Sequence, residues 1–444
     1  MPGSPYLTGN YAPVPDEATL TELPTEGRLP GALSGLYLRT GPNPLASSDP
    51  YHWFVGDGMV HGIRLSAGRA VSYRNRWVRT GPVAERLGED GVGGPAQPAY
   101  DVSNTNVMGF AGRILSLTEG CYPYELSAEL DTVCRADFGA PLPHGMTAHP
   151  KVDPVTGELL AFAYWWDEPY LLFHSVDPSG SLRVTEPIAL PAPVSMHDFA
   201  ITRNHVLFFD QPAVFDLAAA ETSGFPFAWK PENGARVGVL PRAGEASDVR
   251  WFDTEVCYTF HPLNAFEEDD GTIVVDVPKV SSVYDDPRIV AGHEATQGFE
   301  RWTIDIQAGK VHQDMLDDTP QDFCRVNGEI LGSRHRYGYT TAIGHDLPYD
   351  DTRVFKHDLR DGTREVHDFG PGRHPGEFMF VADPDRSTFE DGGWLLGLVH
   401  DDARNTTSLA VLDAQDVTGV PVAQVHVPRR IPYGFHGTWV PTDD

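Results

Sequence analysis

Apolar residues along this chain fall in short runs of four to eight separated by turn-forming residues, and sustained helical spacing is nearly absent. The clearest runs are RILSLTE (113–119), LLAFAYWW (159–166), YLLFHSV (170–176), HVLFFD (205–210), TIVVDV (272–277), WLLGLV (394–399), SLAVLD (408–413) and AQVHV (423–427). Between such runs lie DPVTGE, DPSGS, EDDGT, DLRDGT and FEDGGW, whose Gly, Asp, Pro and Ser suit tight hairpins. The best helical stretch, VFDLAAAETSG at 214–224, is brief. This pattern predicts an all-β chain with no linker or low-complexity block, hence one domain over residues 1–444. A β-propeller is the architecture that keeps adding strands without exposing long edges. No crisp internal repeat is visible, so the expectation rests on strand rhythm.

Composition supports a large core: of 444 residues, 41% are hydrophobic and 11% aromatic, and the 44 Gly and 38 Pro suit many turns. The formal net charge of −30 argues against nucleic acid or an anionic membrane as a partner held by long-range attraction. What remains is a small apolar or weakly charged ligand, with no obligate protein partner indicated. The first residues, MPGSPYLTGNYAPVPDE, lack the basic start and apolar run of a signal peptide. No window reaches the roughly 18 apolar residues of a membrane span. Cys121, Cys134, Cys257 and Cys324 show no CxxC spacing, which suggests neither a disulfide framework nor a zinc knuckle. The expected location is cytoplasmic. The stretch QPAVFDLAAAETSGFPFAW at 211–229 is the candidate for weak peripheral contact with a membrane surface, an ordinary covering loop being its plainer reading.

Four of the eighteen histidines stand out by their settings: His149 in TAHPKV, His197 in SMHDFAIT, His261 in YTFHPLNAF and His436 in PYGFHGTWV. Each falls at a predicted strand end. The inner-strand ends of different propeller blades face one axis, so residues distant in sequence converge there. At 40–50 residues per blade, the first three histidines fall on successive or near-successive blades and the fourth on the last. Four imidazoles without a carboxylate form a chemically narrow metal site, and in an octahedral field they leave two adjacent positions open. A histidine taken singly is more often a structural hydrogen-bonding residue, and His52, His61 and His144 read that way.

Several strings in a fixed order resemble the carotenoid cleavage oxygenases, non-heme iron enzymes that split carbon–carbon double bonds with dioxygen. They are GLYLRTGPNPLASSDPYHWFVGDGMVHGIRL, SYRNRWVRT, NTNVMGFAGRILSLTEGCYPYEL, the four histidine strings, FEDGGWLLGLVHD and PRRIPYGFHGTWV, and the likeness runs from about residue 7 to the C-terminus. The resemblance implies a seven-bladed β-propeller with a loop and short-helix cap over the site. It implies Fe(II) on the axis, held by His149, His197, His261 and His436. It further implies that Glu119, Asp322 and Glu377 hold the outer ring nitrogens of histidine ligands, a contact that fixes tautomer and ring orientation. At 322 the family's usual residue is Glu. Asp is shorter by one methylene, about 1.5 Å, so either the backbone moves inward or a water bridges the gap.

By the same resemblance, Thr105 matches a threonine whose methyl leans over one open metal position, and Phe54 and Phe260 belong to the substrate tunnel, although packing is the default role of a buried aromatic. The implied reaction inserts both atoms of O2 across one double bond of an apolar conjugated alkene, giving two carbonyl products without a cosubstrate. Two substrate classes occur: carotenoids or apocarotenoids, and phenolic alkenes such as stilbenes and isoeugenol-type phenylpropenes. Stilbene-cleaving relatives commonly carry a lysine before the glutamate matching Glu119. Here Thr118 stands there, which favours apocarotenoids, although Tyr100 in LGEDGVGGPAQPAYD could supply a phenol-binding donor instead. A divalent-metal propeller hydrolase or lactonase, and an inactive ligand-binding propeller, are the alternatives. The first would call for oxygen ligands, and the second for a replaced histidine.

Overall fold

Strands pair with their sequence neighbours around the whole molecule. Leu159–Tyr164, for example, runs antiparallel to Leu171–Val176 with Phe162 opposite Phe173, and both strands are almost wholly buried. Strands covered on both faces read as continuous apolar runs rather than as an alternation, which is why LLAFAY and HVLFFD carry so few polar residues. The computed structural model describes residues 4–47, 51–284, 295, 297–344 and 347–442.

Among these residues seven antiparallel sheets of four or five strands are arranged as the blades of a β-propeller, together with a two-stranded ribbon. Blade 1 is built on Gly35–Pro42, Gly58–Ser66 and Arg69–Trp77. Blades 2 to 6 follow in chain order over 106–135, 151–188, 199–253, 264–317 and 321–368, and blade 7 begins at Arg373–Ala382. The core lies between blades: Leu160 and Phe162 of blade 3 pack with Phe199 and Phe208 of blade 4, and Leu207 of blade 4 with Val275 and Trp302 of blade 5.

The ring is closed twice. Gly437–Pro441 is the innermost strand of blade 1, paired with Gly35–Pro42, while Thr25–Gly27 is the outermost strand of blade 7, paired with Ala423–Val427. His436 therefore precedes a strand of the first blade rather than the last. The expectation counted blades along the chain and missed that the final strand crosses over to complete the sheet begun near the N-terminus.

Among the described residues helix is confined to short pieces. Leu217–Ser223, within the expected 214–224, is capped by the Asp216 side chain and ends at left-handed Gly224. It lies between the paired ribbon strands Ala213–Phe215 and Phe227–Trp229. A second helix, Gly81–Leu87, capped by Thr80 and ended by left-handed Gly88, was not anticipated, being too short to show an apolar period. No helix among the described residues is long and apolar enough to cross a membrane.

Candidate metal centre

Six of the seven inner strands begin beside a residue singled out from the sequence. Thr105, His149, His197, His261 and His436 lie one to three residues before the inner strands of blades 2, 3, 4, 5 and 1, and Asp322 is the second residue of the blade 6 strand. Glu377 lies within the inner strand of blade 7. Like positions on successive blades meet on the axis. The ligand-capable atoms of His149, His197, His261 and His436 all lie within 4.8 Å of one another. His197 Nε2 is 3.1 Å from His149 Nε2 and 3.0 Å from His261 Nε2. A metal about 2.1 Å from each nitrogen places neighbouring ligands about 3.0 Å apart at right angles, so the donor set fits a divalent transition metal.

The outer ring nitrogens are held across blade boundaries. Glu119 Oε1 is 2.5 Å from His197 Nδ1, Asp322 Oδ1 is 2.8 Å from His261 Nδ1, and Glu377 Oε1 is 3.0 Å from His436 Nδ1. Two of these acids sit on β-bulges. The register of blade 6 shifts between Asp322 and Arg325, with Phe323 at φ +53°, and that of blade 7 shifts between Pro375 and Phe378. A bulge kinks its strand and re-aims a side chain. Here it brings the short Asp322 into direct contact, with the Phe323 amide donating to the same Oδ1 at 2.8 Å.

His149 is the exception. Its nearest carboxylate oxygen, Asp198 Oδ2, lies 3.9 Å from Nδ1, beyond hydrogen-bond reach. Asp198 instead receives Lys151 Nζ at 2.7 Å and the Phe199 amide at 2.7 Å.

Two contributors escaped the sequence reading. One is Asp198, beside a ligand in MHDF. The other is Arg325, whose guanidinium grips Glu377 with two bonds of 2.9 and 3.0 Å while the Gly437 amide donates to Glu377 Oε2 at 3.0 Å. Burial alone would raise the Glu377 pKa, but Arg325 and His436 hold it well below the usual carboxylate range. Glu119 is likewise held down by His197 against the effect of burial. Burial lowers the pKa of His149, His261 (to about 4) and His436, so these rings present a free lone pair. His197 is raised, Glu119 outweighing desolvation.

The site opens into a cavity of about 400 Å³ whose lining includes Thr105, Phe54 and Phe260. Thr105 Oγ1 bonds Asn104 Oδ1 at 3.0 Å and Thr118 Oγ1 at 2.7 Å, and the Thr105 carbonyl receives the His436 amide at 3.1 Å. Phe260 packs against His197 with ring centroids 5.6 Å apart. Phe54 stands edge-on to Phe435 at 5.5 Å. The Tyr100 hydroxyl, weighed above as a donor to substrate, donates to the Glu119 carbonyl. His52 stacks on Phe225, His61 Nδ1 meets the Tyr73 hydroxyl at 2.9 Å and His144 stacks on Trp165.

Fold and site together define a β-propeller with an aromatic chamber over an axial cluster of four histidines that can hold a metal. A family model described as retinal pigment epithelial membrane protein matches residues 11–441. The chain is 39% identical to a carotenoid cleavage oxygenase of Mycobacterium tuberculosis, over 99% of this chain and 98% of that protein. It is 32% identical to a carotenoid 9,10(9′,10′)-cleavage dioxygenase 1 of Phaseolus vulgaris, over 98% of this chain and 89% of the relative. Among solved structures it is similar to the lignostilbene dioxygenase of Pseudomonas brassicacearum (TM-score 0.87, 28% identity, 100% of both chains). A cobalt-substituted Synechocystis ACO superposes with TM-score 0.84 at 27% identity over 97% of both chains. The chain belongs to the carotenoid cleavage oxygenase family, and it is an alkene-cleaving dioxygenase whose four-histidine cluster can hold a metal ion.

Proposed function

We propose that the metal is Fe(II), held by His149, His197, His261 and His436, and that the enzyme cleaves one double bond of an apocarotenoid or carotenoid with O2 to give two carbonyl products. The observation that carries this reading is the convergence of four imidazole Nε2 atoms, without an acid ligand, beneath a cavity walled by aromatic side chains. Four neutral donors suit a divalent transition metal and leave positions open. Bound Fe(II) would supply dioxygen activation, with the alkene itself as electron source.

The chain's own residues do the rest. Glu119, Asp322 and Glu377 orient three of the ligand rings. Thr105, with its hydroxyl tied to Asn104 and Thr118, turns its methyl toward the metal and narrows where dioxygen sits. Phe54 and Phe260 bracket the polyene, and the aromatic lining excludes water. The chain acts as one domain. Its cap comprises the helix and ribbon over 213–229 and the segment around Tyr100. We place the protein in the cytoplasm, a setting that fits four free cysteines, with weak peripheral membrane contact through 211–229, where Leu217 is exposed.

Two features favour the polyene over a phenolic alkene: Thr118 in place of a lysine, and a Tyr100 hydroxyl already engaged by a backbone carbonyl. The likeness to a lignostilbene dioxygenase supports stilbenes as the second reading. Incubation in air with an apocarotenal, resveratrol and isoeugenol, followed by mass spectrometry of aldehydes, decides between them. Cleavage of the apocarotenal is expected, and cleavage of the phenols alone would overturn the preference. Anaerobically purified protein should carry about one iron per chain, and its absence with all four histidines intact would sink the iron reading.

A further inference from the structure

The four ligand rings give the cavity two distinguishable sides. Ring centroids of His197 and His436 are 6.4 Å apart, the widest pair of the four, while the other pairs lie between 4.4 and 5.0 Å. On the His436 side the lining is largely aromatic and aliphatic, with the buried and unpartnered indole N–H of Trp53 among it. Phe435 precedes that ligand, Phe323 lies 5.6 Å from its ring, and Phe54, Ile343 and Leu347 complete the same cluster. Gln321 also lines the cavity, but its amide is spent, the oxygen on the Thr340 hydroxyl and the His357 ring and the nitrogen on the Thr319 carbonyl.

The His197 side carries hydroxyls. Ser195 stands two residues before His197, and Tyr258 lies behind Phe260 with ring centroids 4.7 Å apart. The Tyr258 hydroxyl donates to the Ser195 carbonyl at 3.1 Å and lies 3.2 Å from Ser195 Oγ. Tyr164 and Tyr284 line the same stretch of the cavity, the Tyr284 ring centroid 6.2 Å from that of Tyr258. The Tyr258 proton is taken by the Ser195 carbonyl, so the Tyr164 and Tyr284 hydroxyls and Ser195 Oγ are the donors this wall can offer a ligand oxygen. Polar groups on one wall of an otherwise apolar pocket fix ligand orientation. Packed rings link Tyr258 to the ligands, its centroid 4.7 Å from that of Phe260 and the Phe260 centroid 5.6 Å from that of His197.

We propose that Tyr164, Ser195, Tyr258 and Tyr284 form a recognition wall for an oxygen function at one end of the substrate, selecting alkenes that carry a carbonyl or hydroxyl at that end over hydrocarbons apolar at both ends. This deepens the alkene-cleaving reading and rests on it. An oxygenated end held on the His197 side leaves the hydrocarbon end against Phe435 and Phe323. The substrate then enters in one direction and one bond is presented to the metal.

Affinity, measured anaerobically so that nothing turns over, tests the wall apart from the reaction. Quenching of tryptophan fluorescence, with Trp165 and Trp166 in the lining, reports binding of two matched pairs: an apocarotenal against the polyene hydrocarbon of equal length, and resveratrol against its trimethyl ether. The wild type should bind the oxygenated member of one pair roughly tenfold or more tightly, and the pair that shows this ratio identifies the oxygen as carbonyl or phenol. Tyr164→Phe combined with Tyr284→Phe should bring that ratio near one while leaving the apolar member's affinity unchanged. Ser195→Ala, a smaller perturbation, should reduce the ratio if the double variant does not fold. Equal affinity within both pairs, or equal weakening of both members in the variants, overturns the wall. Failure of the iron-loaded enzyme to cleave any of the four ligands in air would overturn the reaction proposed above while the affinity ratio still judges the wall.

Discussion

Asp322 reaches His261 Nδ1 at 2.8 Å although it is one methylene shorter than the residue its motif resembles. Of the two routes open from sequence, the backbone route is the one used: the bulge and the positive φ of Phe323 carry the carboxylate inward. The position is thus shaped for the shorter side chain. Asp322→Glu should push His261 or Phe323 aside and lower iron retention by roughly tenfold, read as metal content after dialysis against a weak chelator. Retention equal to wild type would mean that the bulge adapts freely. Glu377 is more tightly set, since Arg325, His436 and the Gly437 amide all converge on it. Glu377→Gln keeps the shape but removes the charge that Arg325 faces, and should reduce iron retention or turnover by about ten- to a hundredfold. Unchanged values for both would remove Glu377 from support of the site. The acids themselves stood out in their strings, whereas their pairing did not. Each carboxylate serves a histidine from another blade, Glu119 in blade 2 with His197 of blade 4, and a partner chosen by rotation about the axis leaves no trace in local spacing. Arg325 was hidden for the same reason.

Elements were the most legible level. The runs at 205–210 and 423–427 coincide with His205–Asp210 and Ala423–Val427, and the others differ only at their ends, because burial on both faces writes a strand as an apolar run. What the runs do not carry is which sheet a strand joins. Gly437–Pro441 crosses over to pair with the inner edge of blade 1, and the backbone around His436 is fixed there: the His436 carbonyl takes the Thr40 amide at 3.0 Å and its amide reaches Thr105, just before blade 2. Blade 1 also packs closely on the segment that enters blade 2. A β-carbon added at Gly58, where Gly58–Ser66 begins, would lie 1.6 Å from the Ser103 carbonyl oxygen, a backbone atom with no flexible end to yield. Gly58→Ala should therefore destabilise by about 1–3 kcal/mol or more, seen as a lower urea midpoint at unchanged slope. An unchanged midpoint would show that the two backbones separate at no cost.

At the scale of the molecule, the four histidines come from blades 1, 3, 4 and 5, so a bound metal would tie together sheets that pack chiefly against their neighbours. Without metal, the four imidazoles and the three carboxylates that hold His197, His261 and His436 keep the axis by hydrogen bonds and packing alone. Metal that binds the folded ring and not the unfolded chain stabilises by mass action, about 2.7 kcal/mol at a hundredfold excess over Kd. Removal of the metal by chelation should lower the unfolding temperature by a few degrees, and re-addition of Fe(II), the metal proposed above, should restore it. His149 makes the sharpest control. It is the one ligand without a carboxylate within hydrogen-bond reach, so His149→Ala deletes a metal bond without stranding an acid beside it. That variant should lose most of the difference between its iron-loaded and chelated unfolding temperatures. If chelation shifted wild type and variant equally, the stabilising metal would be bound somewhere other than the axis, and the four histidines would have to be read as a packed hydrogen-bonding cluster instead.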